Sequence, residues 1–297
     1  MQAEAAVYSP ASLTDALRIL GEEGPQARPL AGGTDAMVRF KDGVWRPRVW
    51  VNLLRVGELR FACQEDGWVR IGALTTFAEI LESPLLRSAA PLLVRAARTI
   101  GGPQIRNMAT LGGNLGTASP AGDSLPALYA LDARVRVVGL SGERELAIAD
   151  FFLGPGQTAL GPGELIAEVR FPPQAPGELY TFEKLGLRAA HAISIASVAI
   201  RLVPDESGPG FRLARVALGA LAPTVIRALQ AEAALTAGRE VDAVAVALAA
   251  HAAREAARPI SDIRASASYR RAMAGNLVQR GLVRLLGAGV MPASPAA

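Results

Sequence analysis

The chain has 297 residues, 51% of them hydrophobic, with a net charge of +4 and a pI of about 9.7, which is material for two or three cores rather than one. Of its 31 basic residues only Lys41 and Lys184 are lysines; the arginines are spread among 27 acidic residues, with no basic run or aromatic platform of the kind nucleic acid needs. Cys63 is the only cysteine, and His191 and His251 are the only histidines, which excludes an internal disulfide, a Cys-ligated iron–sulfur cluster within this chain and the spacings of zinc sites.

Met1–Tyr8 has neither a basic start nor an apolar run, so it does not read as a signal peptide. No stretch is long and apolar enough for a membrane span, and the expectation is a soluble cytoplasmic protein. Ser12 to Leu20 has helical spacing, with Ser12 as its cap. Arg28–Ala31 reads as a strand, Thr34 opens a short helix through Phe40, and Val49–Leu53 is a second strand. Leu59–Cys63 and Trp68–Ile71 form a hairpin about Glu65-Asp66-Gly67. Ala78–Ala97 is helical, interrupted at Pro84 and Pro91. Leu125–Leu131 is a helix, and Ala133–Gly139 and Leu165–Phe171 are strands. Pro172-Pro173-Gln174-Ala175-Pro176-Gly177 is the best linker. Beyond it come strands at Glu178–Leu185, Ile193–Val203 and Phe211–Ala220, then helices at Thr224–Ala237, Val241–Ala257 and Ser266–Leu286. That order predicts an α+β domain with a three-stranded antiparallel sheet covered by helices. The last ten residues read as frayed.

Two glycine segments carry the chemistry: Ala31-Gly32-Gly33-Thr34-Asp35 and Thr110-Leu111-Gly112-Gly113-Asn114. Paired glycines admit φ > 0 and leave no Cβ in the way. Backbone N–H groups in such turns can converge on an anion. Thr34 and Thr110 add hydroxyls, and Asn114 adds an amide or tolerates a left-handed position. Two ordinary tight turns are the plain alternative. With lysines so scarce, neutral N–H donors are the natural means of holding a pyrophosphate, and the helix opened at Thr34 adds its dipole.

The residues around them resemble the FAD-binding subunits of the molybdenum hydroxylases. The likeness runs through Thr99-Ile-Gly-Gly-Pro-Gln-Ile-Arg-Asn-Met-Ala-Thr110, Leu115-Gly-Thr-Ala-Ser-Pro-Ala-Gly-Asp123-Ser124, Phe151-Phe152-Leu-Gly-Pro-Gly-Gln-Thr158, Glu164-Leu-Ile166, Lys184-Leu-Gly-Leu-Arg188 and Ala267-Ser-Tyr-Arg-Arg271. It implies a bipartite FAD fold of the vanillyl-alcohol-oxidase type: residues 1–55 and 56–173 as two FAD-binding subdomains, 174–297 as a C-terminal α+β domain, and the cofactor between them. It implies cofactor contacts at Ala31, Gly32, Gly33, Thr34, Asp35, Thr110, Gly112, Gly113, Asn114, Ala118, Asp123 and Lys184. Asp123 would accept from the ribose of the adenosine end, or cap the helix that starts at Ser124. Lys184 would place positive charge near the flavin ring, or be a solvated strand residue. Arg106 and Asn107 could steady the approach to the second turn, or be structural. His191 departs from the aromatic or acidic residue common in that stretch, and its role near the flavin stays open.

The resemblance further implies a separate molybdenum-cofactor subunit, a [2Fe-2S] subunit and a dimer of heterotrimers. Electrons would leave the flavin for NAD, a quinone or O₂, and no side chain here need act as nucleophile or acid. A stand-alone FAD oxidase and a cofactor-free assembly protein are the alternatives. Gly154-Pro-Gly-Gln-Thr-Ala159 imitates a dinucleotide fingerprint, but Gly161-Pro162-Gly163 follows where a helix should start. Neither lysine follows a glycine, so there is no P-loop, and no G-x-S-x-G elbow is present.

Overall fold

The computed structural model describes residues 5–238 and 240–291. The chain packs as two units: one of residues up to Arg87, Ile100–Ala118 and Ala133–Pro173, the other of Ser88–Thr99, Ser119–Asp132 and the chain from Gln174 onward.

The first unit holds two sheets. Ala6–Tyr8, Val49–Asn52 and Ala27–Leu30 form a parallel sheet with Val49–Asn52 central. The helix Leu13–Glu23 is capped by Ser12, whose hydroxyl accepts from the Asp15 N–H, and buries Ala16, Leu17 and Leu20. Those residues share a core with Val49, Val51, Leu59, Leu74 and Leu165. The second sheet is antiparallel, in the order Ala62–Glu65, Trp68–Gly72, Leu165–Phe171, Arg134–Gly139, Gly142–Ala147. Pro84 and Pro91 break the expected long helix into Phe77–Glu82, Pro84–Ala89 and Pro91–Ala97. Each proline starts a new helix, because it can stand at a first turn but not inside one.

In the second unit Leu179–Leu185, Ala196–Pro204 and Phe211–Gly219 form the expected antiparallel sheet, and a two-residue strand, Ile226–Arg227, joins its edge. Its core comprises residues such as Val198, Ile200, Val216 and Leu218 with Val246, Ala249, Val278 and Leu282. Those last four lie on the helices Ala243–Ala256 and Ala267–Leu286. The helix expected over Thr224–Ala237 is only Leu229–Leu235, because Ile226–Arg227 is drawn into the sheet. Of the end expected to fray, Ala288–Val290 forms a 3-10 turn, and 292–297 lie outside the described residues.

Candidate functional site

Ala31-Gly32-Gly33-Thr34-Asp35 leaves the strand Ala27–Leu30 and enters the helix Ala36–Lys41, so that helix starts two residues later than Thr34. Gly33 has φ 72°, where any Cβ is strained. Gly32 lies outside that region; its requirement is space, since a Cβ there would stand 1.6 Å from the Met108 carbonyl oxygen. The first turn therefore lies directly against the end of the helix Pro103–Met108. The Thr117 hydroxyl also donates to Asp35 Oδ2 at 3.1 Å. Two segments eighty positions apart are thus brought together. Among the described residues, the backbone N–H groups of Gly32, Gly33, Thr34 and Asp35 donate to no protein acceptor. Buried N–H groups are almost always paired, so a run of four uncommitted donors on one half-buried turn is a place where a ligand can accept.

The second segment is not the open turn expected. Thr110 is the N-cap of a helix, Leu111–Thr117, and its Oγ1 accepts from the Gly113 N–H at 3.0 Å. Gly112 and Gly113 are helical, and neither has positive φ. The Leu111 N–H donates to Thr75 O at 3.0 Å, Gly112 to Ala73 O at 2.8 Å, and Asn114 to Thr110 O at 3.0 Å. All four amides from 111 to 114 are therefore committed inside the protein. Gly112 is required by contact: a Cβ there would lie 2.6 Å from the Ala73 Cβ. At Gly113 a Cβ would meet only Thr110 Oγ1, at 2.9 Å. The left-handed residue of this segment is Ala118, φ 48°, which ends the helix. Arg106 donates to the Ile100 carbonyl at 3.0 Å and so shapes the loop before the turn.

Asp123 and Lys184 meet within the second unit. Lys184 Nζ donates to Asp123 Oδ2 at 2.5 Å and to the Thr99 carbonyl at 2.9 Å. Ser194, fully buried, donates its hydroxyl to Asp123 Oδ1 at 2.5 Å. Asp123 occupies the cap position of the helix Ser124–Ala130, but its side chain does not cap it. Burial pushes the Asp123 carboxyl up from its ordinary value, against the pull of Lys184, Ser194 and Thr99. The two side chains expected at the ribose and at the flavin ring are thus hydrogen-bonded to each other. Ser194 was not foreseen; its one sequence signal is a lone hydroxyl between Ile193 and Ile195. His191 is exposed with φ 52°, and its carbonyl accepts from Arg188 at 2.7 and 3.2 Å. Gly154 ends a strand that turns back through Gln157–Thr158, so the false fingerprint has no helix behind it.

Residues 2–174 match the model of the FAD binding domain in molybdopterin dehydrogenase, and residues 180–285 that of the CO dehydrogenase flavoprotein C-terminal domain. The chain is an FAD-binding subunit of the molybdenum hydroxylase family. This FAD subunit is 33% identical to the carbon monoxide dehydrogenase medium chain of Hydrogenophaga pseudoflava over 93% of its own length and 94% of that chain. It is 36% identical to the xanthine dehydrogenase FAD-binding subunit of Escherichia coli O157:H7, over 77% of its length and 78% of that subunit. Among solved structures it matches the H. pseudoflava carbon monoxide dehydrogenase at TM-score 0.92 and 33% identity, covering 96% and 98% of the two chains. Quinoline 2-oxidoreductase from Pseudomonas putida 86 matches at TM-score 0.89 and 27% identity, covering 95% and 96%. The FAD subunit belongs to an oxidoreductase, and its free amides at 32–35 suit the cofactor's pyrophosphate. Among the described residues no helix is long and apolar enough to cross a membrane.

Proposed function

We propose that this subunit takes electrons from a [2Fe-2S] subunit into FAD and hands them to an external acceptor: NAD, a quinone or O₂. A third subunit, carrying the molybdenum cofactor, would oxidise the substrate, and the whole would be a cytoplasmic dimer of heterotrimers. The observation that carries the reading is the run of uncommitted N–H groups at Gly32, Gly33, Thr34 and Asp35 in a chain of this family. FAD supplies the redox chemistry; the residues bind and orient it. In this reading the first turn donates to the pyrophosphate. Thr110, Gly112, Gly113, Asn114 and Ala118 give the adjoining segment its shape and a surface free of side-chain bulk. Asp123 and Lys184 act together, so that Lys184 offers the cofactor a cation already balanced by one carboxylate. Domains at 1–55, 56–173 and 174–297 belong to the same reading, which the limits of the two family matches support at 174 and 180.

The test is co-purification followed by metal and flavin analysis. Partners carrying iron and molybdenum should accompany the chain, and heat-released flavin should chromatograph as FAD. Recovery of FMN alone would sink the reading of the first turn. A lone FAD-loaded chain that oxidised a small organic substrate at a full catalytic rate would replace the electron-transfer reading with that of a stand-alone oxidase.

A further inference from the structure

The strands Leu179–Leu185 and Ala196–Pro204 are antiparallel neighbours joined by residues 186–195. Lys184 is the last but one residue of the first strand, and Ser194 stands just before the second. The Ile195 N–H closes the neck of this loop by donating to the Leu185 carbonyl at 2.8 Å. Asp123, at the start of the helix Ser124–Ala130, reaches both arms. Lys184 Nζ donates to its Oδ2 and the Ser194 hydroxyl to its Oδ1, each at 2.5 Å. Each carboxylate oxygen so has its own donor, one charged and one neutral. Bonds to an ionised group are the short and strong ones.

The neighbouring hydroxyls are no substitute for Ser194. Thr99 Oγ1 lies 3.4 Å from Asp123 Oδ2, but its one proton is better placed on the Ala96 carbonyl, at 2.8 Å. Thr99 instead gives Lys184 Nζ a second acceptor, its own carbonyl, at 2.9 Å. Ser197, buried and directly across from Lys184 in the sheet, has a hydroxyl without a partner among the described residues. Burial raises the Asp123 carboxyl, while Lys184, Ser194 and Thr99 pull it back. Removing one of the three therefore tips the group toward its neutral form. An ammonium carries three protons. Among the described residues Lys184 spends two of them, which leaves one N–H to offer a ligand.

We propose that Ser194 is a positioning residue of the cofactor site: by anchoring Oδ1 it fixes the Asp123 carboxylate on Lys184 and so sets how much positive charge the flavin meets. The inference rests on the reading of Lys184 given under Proposed function. Without the Ser194 hydroxyl the buried carboxyl takes up a proton and the Lys184 charge is no longer balanced. Reduced flavin, which carries negative charge, is then favoured over oxidised flavin.

The test is the potential of the flavin in the FAD-loaded full chain, read against a reference dye at neutral pH. Ser194→Ala should favour reduced over oxidised flavin about tenfold more than wild type, which is about 30 mV upward for a two-electron couple. Ser194→Thr, which keeps the hydroxyl, should restore the wild-type potential. Ser194→Cys, a weaker donor in nearly the same space, should fall between the two; it gives the same reading should Ser194→Ala load no flavin. Asp123→Asn should also raise the potential, and Ser194→Ala should add nothing in that background, because both act through one carboxylate. Ser197→Ala removes a buried hydroxyl that holds nothing, and should leave the potential where it was. Lys184→Gln should lower it. An unchanged potential in Lys184→Gln overturns the place of Lys184 beside the flavin, and the inference with it. A lowered potential there, with wild-type potentials in Ser194→Ala and Ser194→Cys, overturns the role of Ser194 alone. A rise in Ser194→Ala that adds to that of Asp123→Asn, or that Ser197→Ala matches, makes Ser194 a packing residue and overturns the role as well.

Discussion

Gly33 and Gly32 need to be glycine for different reasons, and substitution separates them. Gly33→Val puts a branched side chain at φ 72° and crowds the free amides, so flavin occupancy should fall sharply while most of the fold survives. Flavin per mole of purified protein is the measure, and near-full occupancy would mean that this turn does not touch the phosphates. Gly113→Val should also lower occupancy, but through the Thr110 cap it crowds rather than through lost amides. Gly32→Ala is a packing change: its Cβ meets the Met108 carbonyl, and overpacking of this kind costs roughly 1–3 kcal/mol, read as a lower urea midpoint even without cofactor. The sequence singled out both glycine pairs. It did not show which glycines need positive φ and which need only room, because both demands leave the same residue behind. Nor could it show that Asp123, Lys184 and Ser194 meet, since their pairing is set by the sheet and not by spacing along the chain.

Among the elements, the helix Ala267–Leu286 shows why Ala267-Ser-Tyr-Arg-Arg271 is a recognisable stretch. Ser266 caps the helix, its hydroxyl accepting from the Tyr269 N–H. Arg270, buried, donates to the carbonyls of Ile195 and Ala220 and to Asp262. Further along, Arg280 and Arg284 both pair with Glu183, which is buried on the strand Leu179–Leu185. One arginine thus ties the helix to two loop carbonyls, and one carboxylate ties it to the sheet. Arg270→Leu would strand those carbonyls and should cost about 3 kcal/mol in chemical unfolding. Arg270→Lys should recover little of that loss, because one ammonium cannot span three acceptors held by a planar fork. An unchanged unfolding midpoint in either variant would remove Arg270 from this role. Long apolar elements of this domain were legible from periodicity. The strand Gly142–Ala147 was not, since GERELA has no apolar alternation and is held by pairing with Arg134–Gly139. The helix Pro103–Met108 was hidden for a similar reason, having no buried face of its own.

Across the whole molecule, each unit holds a buried glutamate whose charge depends on arginine. Burial alone would raise Glu168, but Arg70 and Arg136 outweigh it and hold the carboxyl below its ordinary value. Glu178 is lowered in the same way, by Arg201 and the Ala175 N–H against burial. A folded-state pKa below the unfolded one means stability that is present above the unfolded value and lost as pH falls toward the folded one. Both units should therefore weaken below the ordinary glutamate value of about 4.3. Asp123 works in the opposite sense, its raised carboxyl costing stability as pH rises through its own window. Glu178→Gln should destabilise at neutral pH and lose less than wild type on acidification; equal acid slopes for the two would exclude Glu178 as a source of the transition. The same whole-molecule scale governs function. Among the described residues no group of three His, Cys, Asp or Glu side chains could hold a metal ion; in the proposed assembly the electrons reach the flavin from a centre on another chain. If the proposed assembly is correct, adding substrate to the FAD-loaded chain alone leaves the flavin absorbance unchanged. Adding the molybdenum subunit without the iron–sulfur subunit should leave it nearly so, because the gap between the two cofactors is not bridged. Bleaching at a catalytic rate should need both partners. Bleaching with the molybdenum subunit alone would take the iron–sulfur subunit out of the route.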